Sequence, residues 1–146
     1  MKKLFVLFAL ALAVISCDEQ TLKDKEVPAI VKEAFQKQFP SAKEATWENE
    51  DGKFEVSFKQ DDKEMSAVFT PANGALEETE VEIKKEELPA QALAYISQNY
   101  KDEKIEEMAK ITKANGEVNF EAEVKEKDLI FDANGNFLTV EEEDKD

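Results

Sequence analysis

Few residues in this chain are of the types that carry catalysis. There is no histidine to act as a general base near neutral pH, and the single cysteine is Cys17. Neither a Gly-x-Ser-x-Gly nor a Ser-x-x-Lys setting surrounds Ser41, Ser57, Ser66 or Ser97. With 34 acidic residues, some carboxylate pair will resemble a glycosidase acid and base by chance. The sequence therefore predicts a protein that is not an enzyme and needs no cofactor.

Metal chemistry has one weak candidate, near the carboxyl end. Asp132, Asn134 and Asn136, with Glu143 after them, occupy several liganding positions of an EF-hand loop. The glycine required at the sixth position of such a loop is Phe137 here, and strands rather than helices are predicted on both sides. We therefore predict a β-turn, in which Asn134 and Gly135 supply the positive φ angles, and no dedicated metal site.

The amino-terminal residues predict where the protein is located. Lys2 and Lys3 precede an apolar run, residues 4–15, which is shorter than the roughly 20 residues needed to span a bilayer. Ending in Ser16 and Cys17, the segment is similar to bacterial lipoprotein signals, in which the cysteine is lipidated and the leader is cut before it. That resemblance implies a lipid-anchored envelope protein. The outer membrane, on its periplasmic or outer side, is the expected destination.

The charge balance restricts the partners. The net charge is −15, and every cationic side chain is a lysine. Such a chain repels phosphate backbones and lacks the arginines that usually contact bases, which excludes nucleic acid. The same charge disfavours docking on anionic lipid, so membrane contact is expected through the lipid anchor alone. A protein or a peptide is the partner that remains.

Two stretches about 61 residues apart share a helical pattern. Apolar or aromatic residues recur every four positions, as along one face of a helix, and a proline stands near each start. The matched sets are Val27, Val31, Phe35 and Phe39 in the first stretch and Leu88, Ala92, Ile96 and Tyr100 in the second.

After each helix the apolar period changes to two, which is typical of half-buried antiparallel strands. Turn pairs such as Asn115-Gly116 separate the predicted strands. The pattern predicts an α+β fold of two tandem repeats, each with one helix and a four-stranded meander, with the helices on one face of a sheet of up to eight strands. The expected divisions are a signal peptide (1–16), a lipidated cysteine with a polar tether (17–26), two repeats (27–83 and 88–140) and an acidic tail (141–146).

Three aromatic residues are candidates for contact with a partner. Trp47, Tyr95 and Tyr100 each combine an apolar body with a polar tip. Core placement is the stronger interpretation for Trp47, because its counterpart Met108 is apolar. The acidic strand ends are predicted to form a solvated edge, or else to steer a basic partner. These are Glu77, Glu78, Glu80 and Glu82, followed by residues 141–143.

The leader, the order of elements and two Phe-to-Asn-Gly turns resemble the PepSY-like family, which is also described as similar in fold to a beta-lactamase inhibitor protein. The turns run from Phe69 to Gly74 and from Phe131 to Gly135. The resemblance implies a sheet that presents a broad surface, with helices packed behind it. It also implies a module that binds or restrains a secreted enzyme, but no inhibitory motif matches residue by residue.

Two functions follow from these observations. The first is a non-enzymatic, lipid-anchored envelope module that recognises a protein or peptide through its sheet face, with an inhibitor of an envelope hydrolase as its sharper form. The second is an acidic cation-binding or structural envelope lipoprotein. An exposed apolar or aromatic patch on the sheet would favour the first, and a uniformly charged surface the second.

Overall fold

The computed structural model describes residues 21–50 and 52–142. Nine strands follow in chain order: Thr21–Leu22 (β1), Lys43–Glu50 (β2), Lys53–Gln60 (β3), Lys63–Phe69 (β4), Leu76–Glu82 (β5), Met108–Lys113 (β6), Val118–Glu123 (β7), Lys127–Asp132 (β8) and Phe137–Glu142 (β9). The two α-helices are Ala29–Gln38 (α1) and Ala90–Asn99 (α2), and a 3-10 turn precedes each one. Among residues 21–50 and 52–142, no helix is long and apolar enough to cross a membrane.

All nine strands belong to one antiparallel sheet. Their order across the sheet is their order in the chain, so every strand pairs with the one before it and the one after it. The pairing continues between β5 and β6, where Glu78 lies opposite Lys113 and Glu82 opposite Ala109. The helices are inserted before β2 and before β6 without interrupting the sheet.

The predicted fold class is therefore wrong. The molecule is mainly β, with one continuous sheet and only two ten-residue helices among its described residues, and it is not two repeats of a helix and a four-stranded meander. Periodicity reports how one strand presents its side chains but not whether the last strand of one group pairs with the first of the next. The pairing of β5 with β6 makes the strands expected in two separate meanders one continuous meander, and β1 adds a strand that the sequence pattern did not indicate. The predicted divisions of the chain stay predictions.

Both helices pack on the same face of the sheet. The side chain of Phe35 in α1 meets Trp47 and Phe58 edge to face, with ring centroids 5.4 and 5.1 Å apart. Residues of α2 and the segment before it, among them Leu88 and Ile96, pack on a second apolar cluster over β7 and β8. The two clusters are separate cores on one side of one sheet.

A glycine turn fixes the start of each helix against the sheet. Gly74 follows β4 and Gly135 follows β8, both with positive φ. A Cβ at Gly74 would lie 2.7 Å from the carbonyl oxygen of Ile30, and one at Gly135 would lie 2.8 Å from the backbone nitrogen of Ala92. The turns thus approach the helices more closely than any other residue type permits.

Candidate functional site: the acidic face of the sheet

The face of the sheet opposite the helices carries a series of carboxylates. Residues paired across neighbouring strands project to the same face, so the register identifies them. Three neighbouring rows of paired residues lie on this face. The first consists of Glu48, Glu55, Val68, Glu78 and Lys113, and the second of Thr46, Ser57, Ser66, Glu80, Ile111 and Asn119. The third consists of Glu82, Ala109, Glu121 and Ile130. Glu123 and Asp128 pair beyond the third row. We call this surface the acidic face.

Four carboxylate residues of the acidic face are buried: Glu80 is 2% exposed and Glu121 3%, and Glu55 and Asp128 are also buried. They are buried although no helix of the described residues packs on this side of the sheet. Each of the four residues interacts with neighbouring groups, as buried charges require. The prediction that Glu80 lies on a solvated strand edge is wrong, because β5 is paired on both sides.

A cavity of about 350 Å³ opens on the acidic face where β2, β3 and β4 meet the start of β6. Its polar lining is Glu44, Thr46, Glu48, Ser57, Lys59, Glu64, Ser66 and Glu107, and its apolar lining is Ala45, Phe58 and Met65. A β-bulge in β2 between Lys43 and Thr46 places Glu44 at the cavity with a positive φ of 56°. Lys59 bridges two of the carboxylates, with its Nζ 3.0 Å from Glu44 and 3.9 Å from Glu64.

Two groups in this cavity have unusual surroundings. Glu107 is partly buried among other acids, and one of its carboxylate oxygens is inaccessible and has no hydrogen-bond partner. Burial raises the pKa of Glu107 to about 7, and the neighbouring carboxylates of Glu123, Glu82, Glu64 and Asp128 contribute in that order. Ser66 is 3% exposed, and its hydroxyl likewise has no hydrogen-bond partner. Neither residue stands in a recognisable motif, so a functional role for them was not predicted from the sequence.

The predicted partner-contacting aromatics lie elsewhere. Trp47 is 6% exposed and sits in the core beneath α1, on the helix side of the sheet. Tyr95 is half-buried and stacks on Phe137 with ring centroids 4.5 Å apart. Tyr100 is half-buried beside the second core and borders a cavity of about 480 Å³ near the end of α2. The structure brings none of these three residues to the acidic face, and a partner contact for them stays a prediction.

The acidic turn after β8 is held by its own hydrogen bonds. One oxygen of Asp132 accepts the backbone N–H groups of Asn134 and Asn136 at 2.8 and 2.9 Å, and the other accepts the side-chain amide of Asn136 at 2.7 Å. The Asn136 side-chain bond, followed by the backbone bonds, lowers the pKa of Asp132. Within the described ranges, no group of three or more metal-ligating side chains is suited to hold an ion. Glu143 and Cys17 lie outside the described residues.

Among the described residues, the acidic face carries no exposed apolar patch. The large apolar side chains that are exposed among the described residues are Ile30, Leu138 and Val140, of which Ile30 is on α1 and the others are on the edge strand β9. An exposed aromatic or apolar patch, which would favour recognition of a protein or peptide through the sheet face, is therefore not found on the acidic face among the described residues. Any recognition by the acidic face must therefore rest on charge.

Solved structures with this fold come from species of Bacteroides. A protein of Bacteroides eggerthii described as a "putative periplasmic" protein has a TM-score of 0.71 at 15% identity, with 79% of this chain and 88% of that chain covered. A BLIP-like protein from Bacteroides fragilis has a TM-score of 0.65 at 21% identity, covering 82% and 89%. A DUF2874 family protein from Bacteroides uniformis has 0.69 at 14%, covering 78% and 88%. At these identities the likeness concerns the fold.

The sequence itself assigns the family. The model of the family described as "Putative beta-lactamase-inhibitor-like, PepSY-like" matches residues 13–76 and 53–139. The chain therefore belongs to the PepSY-like family, as its turns and element order predicted. No protein with a curated description matches the sequence.

Proposed function

We propose that the protein is a lipid-anchored module of the cell envelope that binds a positively charged protein or peptide surface on its acidic face. The observation that carries the proposal is the concentration of carboxylates on the side of the sheet that no helix of the described residues covers. Opposite charge on a partner gives complementarity and raises the rate of association. The family, described as inhibitor-like, supports a role in binding rather than in catalysis.

The envelope location is supported by the lipoprotein-like leader, which ends at Cys17. The description of a structural neighbour as periplasmic is consistent with it. The sharper form of the proposal, in which the partner is an envelope hydrolase that the module inhibits, rests on the similarity in fold to a BLIP-like protein.

Charge reversal tests the binding face with a matched control. The variant Glu64→Lys with Glu82→Lys replaces two negative charges by two positive ones, a change of +4 in the net charge of the acidic face, at positions that are both exposed. The control, Glu33→Lys with Glu86→Lys, makes the same change at exposed positions on α1 and in the 3-10 turn before α2. Immobilised full chains are incubated with detergent-solubilised envelope in non-ionic detergent, and the retained proteins are identified by mass spectrometry.

The proposal expects a basic protein that is retained by the wild type and by the control, lost with the face variant, and released by about 0.5 M salt because screening shortens the reach of surface charges. Equal retention by both double variants would contradict it. The alternative function, a cation-binding or structural lipoprotein, is favoured by the lack of an exposed apolar patch on the acidic face among the described residues. It predicts instead that calcium raises the melting temperature of the wild type and that no protein is retained by charge.

A further inference from the structure

The cavity on the acidic face has more negative than positive charge within it. Four carboxylate residues line it, Glu44, Glu48, Glu64 and Glu107, against the single ammonium group of Lys59. Lys59 is already engaged by Glu44 and Glu64. Glu48 has interactions of its own, so Glu107 is the carboxylate lining this cavity for which the described residues provide no ion pair, and one of its oxygens is buried without a donor.

A second, independent feature, the unpaired hydroxyl of Ser66, also indicates a ligand that donates hydrogen bonds. Ser66 lines the cavity and is 3% exposed, yet its hydroxyl forms no hydrogen bond. Leaving a buried hydroxyl unpaired lowers stability, so an unpaired hydroxyl is a candidate for binding a ligand. A hydroxyl can accept a hydrogen bond from an incoming donor while a carboxylate oxygen accepts another.

The remaining lining is apolar. Ala45 belongs to the bulge of β2, whereas Phe58 and Met65, which the register directs to the helix side, also pack in the first core. Lysine and arginine suit a cavity with both apolar and acidic lining, because an apolar stem ends in a cation with several N–H donors. A metal ion is not suited, because no group of three or more metal-ligating side chains among the described residues could hold one.

We propose that this cavity takes a lysine or arginine side chain of the partner, with the cationic end held by Ser66 and Glu107 and the stem lying against Ala45. The inference rests on the proposed function and specifies the chemistry of the partner. The acidic face attracts a basic surface, and the cavity selects one side chain on it.

Small probes test the cavity without knowledge of the partner. Nα-acetyl-lysine methylamide is titrated into the full, isotope-labelled chain in dodecyl maltoside, a non-ionic detergent that brings no competing cation. Nα-acetyl-norleucine methylamide, which has the stem without the ammonium group, is the matched probe. The expected result is saturable shifts of the backbone amides of Ser57, Ser66 and Glu107 with the lysine probe, and much smaller shifts with norleucine.

Two variants locate the binding groups. Ser66→Ala and Glu107→Gln should each weaken the lysine probe about ten-fold, the usual effect of losing a hydrogen bond to a charged group. Both remove a buried group without a partner, so both should fold, and the amide spectrum verifies this. Glu33→Gln, an exposed change on α1, should leave probe affinity unchanged.

The inference is overturned if the two probes shift the same amides equally, or if neither variant changes the affinity of the lysine probe. These outcomes are distinct from failure of the proposed function. If the face variant loses the captured protein but the two probes act alike or neither cavity variant changes the affinity of the lysine probe, only the inference about the side chain is wrong. Retention of the captured protein by the face variant would remove the proposed function, whatever the probes do.

Discussion

Glu55 and Glu121 show how this protein uses buried acids. Each lies on the acidic face opposite a branched apolar residue, Val68 for Glu55 and Ile130 for Glu121. Both are nearly inaccessible, although a carboxylate is among the groups least often buried. A buried carboxylate is tolerated where neighbouring groups interact with it, as they do with both residues here.

The effect of a partly buried carboxylate on the free energy of unfolding can be measured at Glu107. Its pKa of about 7 lies above the value of 4.5 expected for an unfolded chain, so the folded state binds more protons between these values. The free energy of unfolding therefore falls as the pH rises from about 4.5 to about 7. Glu107→Gln should abolish this loss and raise the stability at pH 8 by about 1–2 kcal/mol, a figure reduced for the partial exposure of the group.

Urea denaturation of wild type and Glu107→Gln at pH 4 and pH 8 checks this expectation. The two proteins should be nearly equally stable at pH 4, where Glu107 is protonated in both the folded and the unfolded state. Glu33→Gln controls for the removal of one charge on an exposed helix position. A Glu107→Gln variant that is no more stable than Glu33→Gln at pH 8 would show that Glu107 is solvated.

At the scale of elements, the contacts between turns and helices decide how each helix sits on the sheet. Gly135 and Gly116 form a matched pair, because their φ angles are 85° and 84°. A Cβ at Gly135 would meet the backbone of Ala92 and the side chain of Pro89, whereas a Cβ at Gly116 would meet nothing within 4 Å. The two positions separate the cost of the backbone conformation from the cost of the close approach.

Gly116→Ala should lower the free energy of unfolding by about 1–2 kcal/mol, the cost of a left-handed conformation with a Cβ. Gly135→Ala should lower it by about 2–4 kcal/mol, because displacement of α2 is added to the same backbone cost. Thermal or urea denaturation of both variants measures the difference. Equal losses would mean that α2 shifts freely and that the turn does not fix it.

The sequence predicted local structure better than it predicted the sheet. Alternation around Phe54, Val56 and Phe58 identified β3, and the Asn-Gly pairs identified the turns at Gly74 and Gly135. The turns of the β3–β4 and β7–β8 hairpins were not indicated, because residues such as Lys125 and Glu126 adopt positive φ without being glycine or asparagine.

The candidate site was harder to predict than the elements around it. The spacing of Glu78 and Glu80 places them on one face, but the spacing does not show that Glu80 is buried within a sheet whose strands pair on both sides of β5. The cavity draws residues from β2, β3, β4 and the start of β6, which are brought together by pairing rather than by proximity in the sequence. Ser66 and Glu107 acquire their surroundings from that arrangement alone.

At the scale of the whole molecule, the proposed anchor and the proposed binding face are separate parts of the chain. Cys17 precedes β1, the strand at one edge of the sheet, whereas the acidic face runs across its middle. Cys17→Ser should therefore release the protein from the membrane fraction without changing binding by the acidic face. Fractionation of cells, with mass spectrometry of the amino-terminal peptide, measures this. A chain with serine at position 17 that stays with the membrane would contradict lipidation at that residue.

The order of the strands bears on how the protein attains its structure. Among the described strands, six of the eight pairings join strands linked by a short turn, and the other two, β1 with β2 and β5 with β6, each span one helix, so most contacts of the sheet are local. Low contact order accompanies rapid folding. Each new strand finds its partner already in place when the chain emerges from its amino end. A chain translocated in that direction can thus add strands one after another, and its edge is covered again each time the next strand arrives.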